Sequence, residues 1–395
     1  CSGQLDIMRL LLEAGADPNV AMMNAVREGK KAAVRILLSH GANPNATDSH
    51  GQTSLYDAAR SGRLDIMRLL LEAGADPNVA QKMSGETPLV RAAWVGKKAM
   101  VRMLLSHGAN PNAADSYGDT SLNYAACFGL LDIMRLLLEA GAVPNAADSY
   151  GRTSLLIAVR FGELDIMRML LEAGADPNVA ETEERGSFTA LHLSCVRLQT
   201  EIITHLLKHG ADPNLVDRNK RTPLAIIGSE VEVRISRESW RAEQAESVVQ
   251  AASALLQTCE SAGVLLQVNT RDSEGDTPLH SFCRMMLAWK DDVYAREREG
   301  CLQIVHALVF NHGAHVDVVN ARGETPYKLW CRTSFHGNGE LSDVIHRRMR
   351  AQYHSLKCHC ARVIIRHSVA YENRLPPSLI EFVGAHARPT QRRRH

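Results

Sequence analysis

The chain has 395 residues, is 45% hydrophobic and carries a formal net charge of +1 at pH 7. So even a balance gives no global field to attract nucleic acid or an anionic bilayer, and no apolar run approaches the length of a membrane span. Nine cysteines, an odd number scattered mostly through apolar runs (Cys1, Cys127, Cys195, Cys259, Cys283, Cys301, Cys331, Cys358 and Cys360), argue for free thiols in a reducing compartment, cytoplasm or nucleus, rather than a disulfide framework.

In chain order, the first element is LDIMRLLLEAGADPN from Leu5. Near-copies return at Leu64, Leu131 and Leu164, and a related VRxLLSHGANPN stands at Val34 and Val101. The copies end in a Gly-Ala or similar small pair, and the glycines (Gly15, Gly41, Gly74, Gly108, Gly141, Gly174, Gly210, Gly263 and Gly313) are separated by 26, 33, 34, 33, 33, 36, 53 and 50 residues. A period near 33 predicts a solenoid, whose length is not limited as a single globular core is.

The unit follows from elementary physics. In Leu64–Ala73, Leu64, Ile66, Met67, Leu69, Leu70 and Leu71 form a wide apolar stripe, with Asp65, Arg68 and Glu72 left to solvent; that is a helix buried against neighbours. Gly74 suits a left-handed cap, and Pro77 cannot continue the helix. Thr87-Pro88-Leu89 opens a shorter helix with Pro in its first turn, and Ala92 and Ala93 are small enough for close helix approach.

Residues 1–19 read as the end of a repeat, with no leader sequence visible and Cys, not Met, at position 1. Residues 20–45 are a shortened repeat in which Ala21-Met22-Met23-Asn24-Ala25-Val26 replaces the turn. Regular repeats run to about Asn214. Residues 229–262 read as an insertion with a helix over Trp240–Cys259, and 285–300 as a second insertion. The last repeat starts at Thr325-Pro326-Tyr327 and ends in a helix over Ser342–Gln352.

The pattern resembles the ankyrin repeat: a turn, two antiparallel helices and a projecting finger. The signature T-P-L-H-x-A-A survives as TSLYDAA from Thr53, TPLVRAA from Thr87, TSLNYAA from Thr120, TSLLIAV from Thr153, TALHLSC from Thr189, TPLAIIG from Thr222 and TPLHSFC from Thr277. The family's histidine, which ties adjacent repeats, remains only at His192 and His280, so several interfaces are expected to be softer than consensus. The fold class is therefore all-α, an ankyrin solenoid of about nine repeats. In that family targets bind the fingers and the face of the shorter helices. The repeat register puts Asp57, Arg60, Arg91, Trp94, Val95, Tyr124, Cys127, Phe128, Ile157, Arg160 and Phe161 on that face, and Asp48, Asp115, Tyr117, Asp148 and Tyr150 on fingers. Trp94, Tyr124, Phe128 and Phe161 would be rigid aromatic anchors for a protein partner. Asp115 and Asp148 point to a basic or N-terminal peptide.

The C-terminal segment has its own pattern. Residues 346–395 hold eleven basic and two acidic side chains, a charge of +9, which leaves −8 for residues 1–345. The final Arg392-Arg393-Arg394 reads as a solvated tail. Leu356, Cys360, Val363 and Ile364 are spaced for one helical face, with Ser355 at the natural N-cap position. Pro376 or Pro377 opens a second helix carrying Leu379, Phe382 and Val383 on one face. By residues alone this is either a cap on the solenoid or a two-helix module that wants a partner.

Ser355, Leu356, Cys360 and Ile364 match every position of the elongin-binding box, (S/T/P)-L-x-x-x-C-x-x-x-aliphatic, and Leu375, Pro376 and Leu379 fit the cullin-2 form of the box that follows it better than the cullin-5 form. SLKCHCARVI followed by LPPSLIEFVGAH, with NTRDSEGDTPLH and HGAHVDVVNARGETP upstream, resembles the end of the Fem-1 family; the ankyrin-repeat and SOCS-box family is the runner-up. The resemblance implies a substrate receptor of a cullin ubiquitin ligase, with elongin B/C held by Ser355, Leu356, Cys360 and Ile364. The cullin would meet Leu375, Pro376, Leu379, Phe382 and Val383, and a protein target, read through a terminal degron, would lie on the array. The expected organisation is ankyrin repeats over 1–228, an insertion at 229–262, further repeats over 263–352, the box at 353–387 and a basic tail at 388–395. Cys358-His359-Cys360 lacks the knuckle spacing of a zinc site, no phosphate loop or catalytic constellation is visible, and no metal or cofactor is expected. His107 reads as a partner of helix-end carbonyls. The rival reading is an ankyrin scaffold whose last helices only cap it.

Overall fold

The computed structural model describes residues 2–235, 242–288, 295–333 and 340–366, with side chains of the last helix described to Tyr353. Every α-helix in it belongs to a stack of short and long helices, and the strand content among the described residues is four isolated bridges at finger bases, such as Ala114 with Thr120. The fold is the all-α ankyrin array expected from the period.

The first compact unit comprises residues 1–194 and 208–212. After α1 (Ser2–Glu13), inner and outer helices alternate: α2 (Pro18–Arg27) with α3 (Lys31–Ser39), α4 (Ser54–Ser61) with α5 (Leu64–Glu72), α6 (Pro88–Trp94) with α7 (Lys98–Ser106), α8 (Ser121–Cys127) with α9 (Leu131–Glu139), and α10 (Ser154–Phe161) with α11 (Leu164–Glu172). Thr53, Thr87, Thr120 and Thr153 each cap an inner helix by accepting the N–H three residues on, at 3.1–3.4 Å. Inner helices pack closely because Ala58, Ala59, Ala92, Ala93, Ala125 and Ala126 are fully buried between them. Outer helices bury Met67, Leu70, Met100, Leu104, Met134 and Leu137. Asparagines stitch the outer loops: Asn145 Oδ1 accepts from the Asp176 N–H at 2.8 Å and its Nδ2 donates to the Gly174 carbonyl at 3.3 Å. Asn45, Asn78 and Asn112 repeat this bridge. The fingers also stack closely. A Cβ on Gly118, at φ +82°, would lie 2.9 Å from the Ser149 nitrogen.

α12 (Ala190–Val196) and α13 (Thr200–Lys208) span the division between units. The second unit, residues 195–207 and 213–395, holds α14 (Pro223–Ile235) with α15 (Ala242–Ser261), α16 (Pro278–Ala288) with α17 (Ala295–His306, continued by a π turn to Asn311), and α18 (Pro326–Trp330) with α19 (Glu340–Arg366).

Three expectations change. First, the helix expected within an insertion at 229–262 is the outer helix of its own repeat: α15 packs on α14 and α17 and buries Ala245, Val248, Ala252, Leu255 and Cys259. Extra residues lengthen both helices of the α14/α15 pair, and the same occurs in α16/α17, so the additions fall between inner and outer helix in each. Second, the separate helices expected over Ser342–Gln352 and from Ser355 are one helix of 27 residues, α19. Ser355 lies in its interior, where no helix begins, and the boundary placed at 352/353 falls mid-helix. No proline or glycine stands between Glu340 and Arg366 to stop it. Third, lost histidines do not leave every interface untied. His280 takes a hydrogen bond with Thr277 Oγ1 at 2.9 Å and reaches the Glu324 carbonyl of the next repeat at 3.4 Å. At the same position Tyr56 donates to Glu86, and Asn123 bridges to Ser154 and the Arg152 carbonyl, each in the following repeat.

His107 Nδ1 lies 2.8 Å from the Met103 carbonyl at the end of α7, as its helix-end position suggested.

Candidate functional site

The inner helices of the first unit end in a row of large side chains. Trp94 and Phe161, the last residues of α6 and α10, and Phe128, which follows α8, are 47%, 56% and 50% exposed, although apolar. Trp94 and Phe128 meet edge to face with centroids 6.4 Å apart. The repeat register put Trp94, Tyr124, Phe128 and Phe161 along one strip; of these, Trp94 and Phe128 touch, and Phe161 is exposed at the end of α10. Arg91 lies over Trp94 at 4.9 Å and over Tyr56 at 5.5 Å, a cation between two aromatic faces. Tyr124 is half-buried, and its hydroxyl donates to Asp115 at 2.7 Å; burial and that carboxylate push its pKa up. Ile157, expected on the same face, is buried in the core, as is Asp57.

Fingers differ more from expectation. Tyr117 is exposed and Tyr150 half-buried, held between Arg152 and Arg185 at 5.2 and 4.3 Å. Asp115 and Asp148 are buried and committed to their own loops, which corrects their reading as peptide acceptors. Asp115 Oδ1 accepts the N–H groups of Tyr117 and Asp119 at 2.8 and 3.0 Å. Asp148 does the same for Tyr150 and Arg152, both at 2.8 Å, and also takes the Arg152 guanidinium. A short carboxylate at the start of a tight turn closes it by accepting backbone N–H groups, so it is consumed by folding. Asp119 stands nearby; burial raises its pKa and the Asp148 charge adds to this.

Arg60, Arg91 and Tyr117, expected on the recognition face and fingers, are joined by residues not singled out from sequence. With Gln52, Tyr56, Gln81, Met83, Ser84 and Ser116 they line a cleft of about 390 Å³ between the fingers and α4 and α6. Met83 at its rim is strongly exposed. For the newly found residues the sequence signal was Tyr56, standing where the repeat signature has histidine. In the second unit a cleft of about 460 Å³ is lined only by polar side chains, among them Arg221, Arg284, Arg322, Asp272 and Asp276.

The backbone of α19 runs through Ser355, Leu356, Cys360 and Ile364. Their side chains, and Leu375, Pro376, Leu379, Phe382 and Val383 altogether, lie outside the described residues. Ahead of them, Ile345 and Met349 of α19 are fully buried where it packs on α17 and α18.

A helical array with interdigitated fingers and an exposed aromatic row is the architecture of a protein-binding repeat module, and comparison with known families agrees. The model described as Ankyrin repeats (3 copies) matches residues 1–81 and 89–181, and that described as Ankyrin repeat matches 187–218. The chain belongs to the ankyrin-repeat proteins. It is also similar to Protein fem-1 homolog CG6966 of Drosophila melanogaster, 32% identical over 118 residues; the match takes in 30% of this chain and 14% of that protein's length. No described helix is long and apolar enough to cross a membrane.

Proposed function

We propose that this chain is the substrate-recognition subunit of a cullin–elongin B/C ubiquitin ligase. The observation that carries the reading is the order of parts: an ankyrin array with an exposed aromatic row, then a single helix through the complete elongin-box sequence at Ser355, Leu356, Cys360 and Ile364. The likeness to a Fem-1 homologue supports it. In this reading Leu356, Cys360 and Ile364 grip elongin C, and Leu375, Pro376, Leu379, Phe382 and Val383 meet the cullin, cullin-2 ahead of cullin-5. Trp94, Phe128 and Phe161 hold the target protein in the cytoplasm or nucleus. The receptor does no covalent chemistry; it raises the effective concentration of a target lysine beside a charged conjugating enzyme.

The second reading, an ankyrin scaffold without ligase partners, is favoured by the burial of Ile345 and Met349, since α19 thereby already caps the last repeat. Pull-down with purified elongin B/C separates them. The wild type is expected to bind and Leu356→Ala/Cys360→Ala to lose binding, with cullin-2 then recruited over cullin-5. A folded wild-type chain that ignores elongin B/C leaves the scaffold.

A further inference from the structure

The inner face of the first unit has a consistent electrical layering. Asp57 is completely buried at the side chain and is paired with Arg27 at 2.7 Å and Arg60 at 3.1 Å, which are 38% and 48% exposed. Asp148 is buried under Arg152, at 0% against 24%, and Glu181 under Arg160, at 1% against 30%. Glu86 and Arg91 are nearly level, at 12% and 18%. In every one of these pairs the carboxylate is the deeper member. The pairs recur along the repeats: Glu86, Asp148 and Glu181 come from fingers and Asp57 from α4, and each meets an arginine of an inner helix or of the finger itself.

The consequence for a ligand is not net charge, which nearly cancels, but order of approach. A group arriving from solvent meets guanidinium edges first and the carboxylates behind them, at a distance where solvent screens more. The 390 Å³ cleft shows the same order: Arg60 and Arg91 line it, and no carboxylate does. Met83 and Tyr117 are exposed at it, and Trp94 stacked on Arg91 leads to Phe128. Guanidinium groups suit carboxylates because the planar fork matches the two oxygens.

We infer that the inner face of the first unit binds a peptide segment in which aspartate or glutamate side chains accompany large apolar residues. The acidic groups meet Arg60 and Arg91, and the apolar ones rest on Met83, Tyr117, Trp94 and Phe128. This deepens the protein-binding reading of the array and does not depend on elongin. It also reverses the basic-peptide expectation, which rested on Asp115 and Asp148.

The test is fluorescence anisotropy on the full chain with a short peptide alternating Glu with Leu and Phe, acetylated and amidated so that it has no charged terminus. Lys and Gln replacements of its Glu residues and a free-carboxylate version are run beside it. Binding is expected for the Glu peptide, weakened by salt, and at least about tenfold weaker for the Gln and Lys peptides. Arg60→Gln, which leaves Asp57 its Arg27 partner, is expected to weaken binding about fivefold. Phe128→Ala, at an exposed position, should weaken it without altering the circular dichroism of the fold. Equal or tighter binding of the Lys peptide overturns the proposal, as does binding that needs the free C-terminal carboxylate, or no binding of the Glu peptide by a folded chain. None of these outcomes bears on the elongin pull-down, so the two readings fail separately.

Discussion

At the scale of single residues, the same chemical group serves loop or ligand according to depth. Asp115 and Asp148 looked like recognition residues because they sit on fingers, yet one oxygen of each is filled by backbone N–H groups and the other by the Tyr124 hydroxyl or the Arg152 guanidinium. Asp119, four residues after Asp115, carries the electrostatic cost of that crowding: burial, then the Asp148 charge, raise its pKa above the ordinary 3.8. An acid raised on folding binds its proton more tightly in the native state. Its favourable contribution is therefore complete below pH 3.8 and lost as pH rises through the raised value. Asp119→Asn is expected to be at least as stable as wild type at pH 7, with the difference vanishing in acid. Urea titrations at pH 4 and pH 7 measure it, and a variant less stable at pH 7 than at pH 4, relative to wild type, would show that the Arg152 pairing dominates instead.

At the scale of elements, identical sequence meets different fates. LDIMRLLLE occurs in α1, α5 and α9. In α5 and α9 its isoleucine is 2% exposed (Ile66, Ile133), because α4 or α8 covers it; in α1 Ile7 is 59% exposed and Leu11 57%, with α3 as the helical neighbour. Helix propensity is the same in all three, so packing makes the difference. Amide exchange is expected to be fast through Ile7–Leu11 and slow through Ile66–Leu70 in one spectrum. Equal protection would mean that propensity, not burial, holds these helices.

At the scale of the molecule, contacts stay between neighbouring repeats, as in a quasi-one-dimensional array. Stability is then a sum of repeat and interface contributions. Asn145→Ala removes bonds to Asp176 and Gly174 of the next repeat while leaving its own core intact, and is expected to cost about 1–2 kcal/mol. The urea midpoint of the transition that includes the first unit should fall, and an unchanged curve would assign the asparagine bridge no net stabilising role.

The spacing of the glycines, the stripe in Leu64–Ala73 and the threonine caps settle the helix pair and its stacking, since periodicity and capping are local and each repeat contacts only its neighbours. For the same reason the aromatic row of Trp94, Phe128 and Phe161 was legible: once the repeat register is known, equivalent positions share a face. Sequence also supplied the continuous elongin-box pattern, which no tertiary contact is needed to write down. What it could not supply was depth. Whether Asp115 is ligand or loop closure, whether Tyr56 replaces a missing histidine and that α15 completes a repeat depend on which groups lie beneath others. That layering pairs near neighbours such as Asp148 with Arg152 and distant residues such as Arg27 with Asp57, and which member of each pair lies deeper is set by the packing of one repeat on the next, so tertiary structure alone decided it.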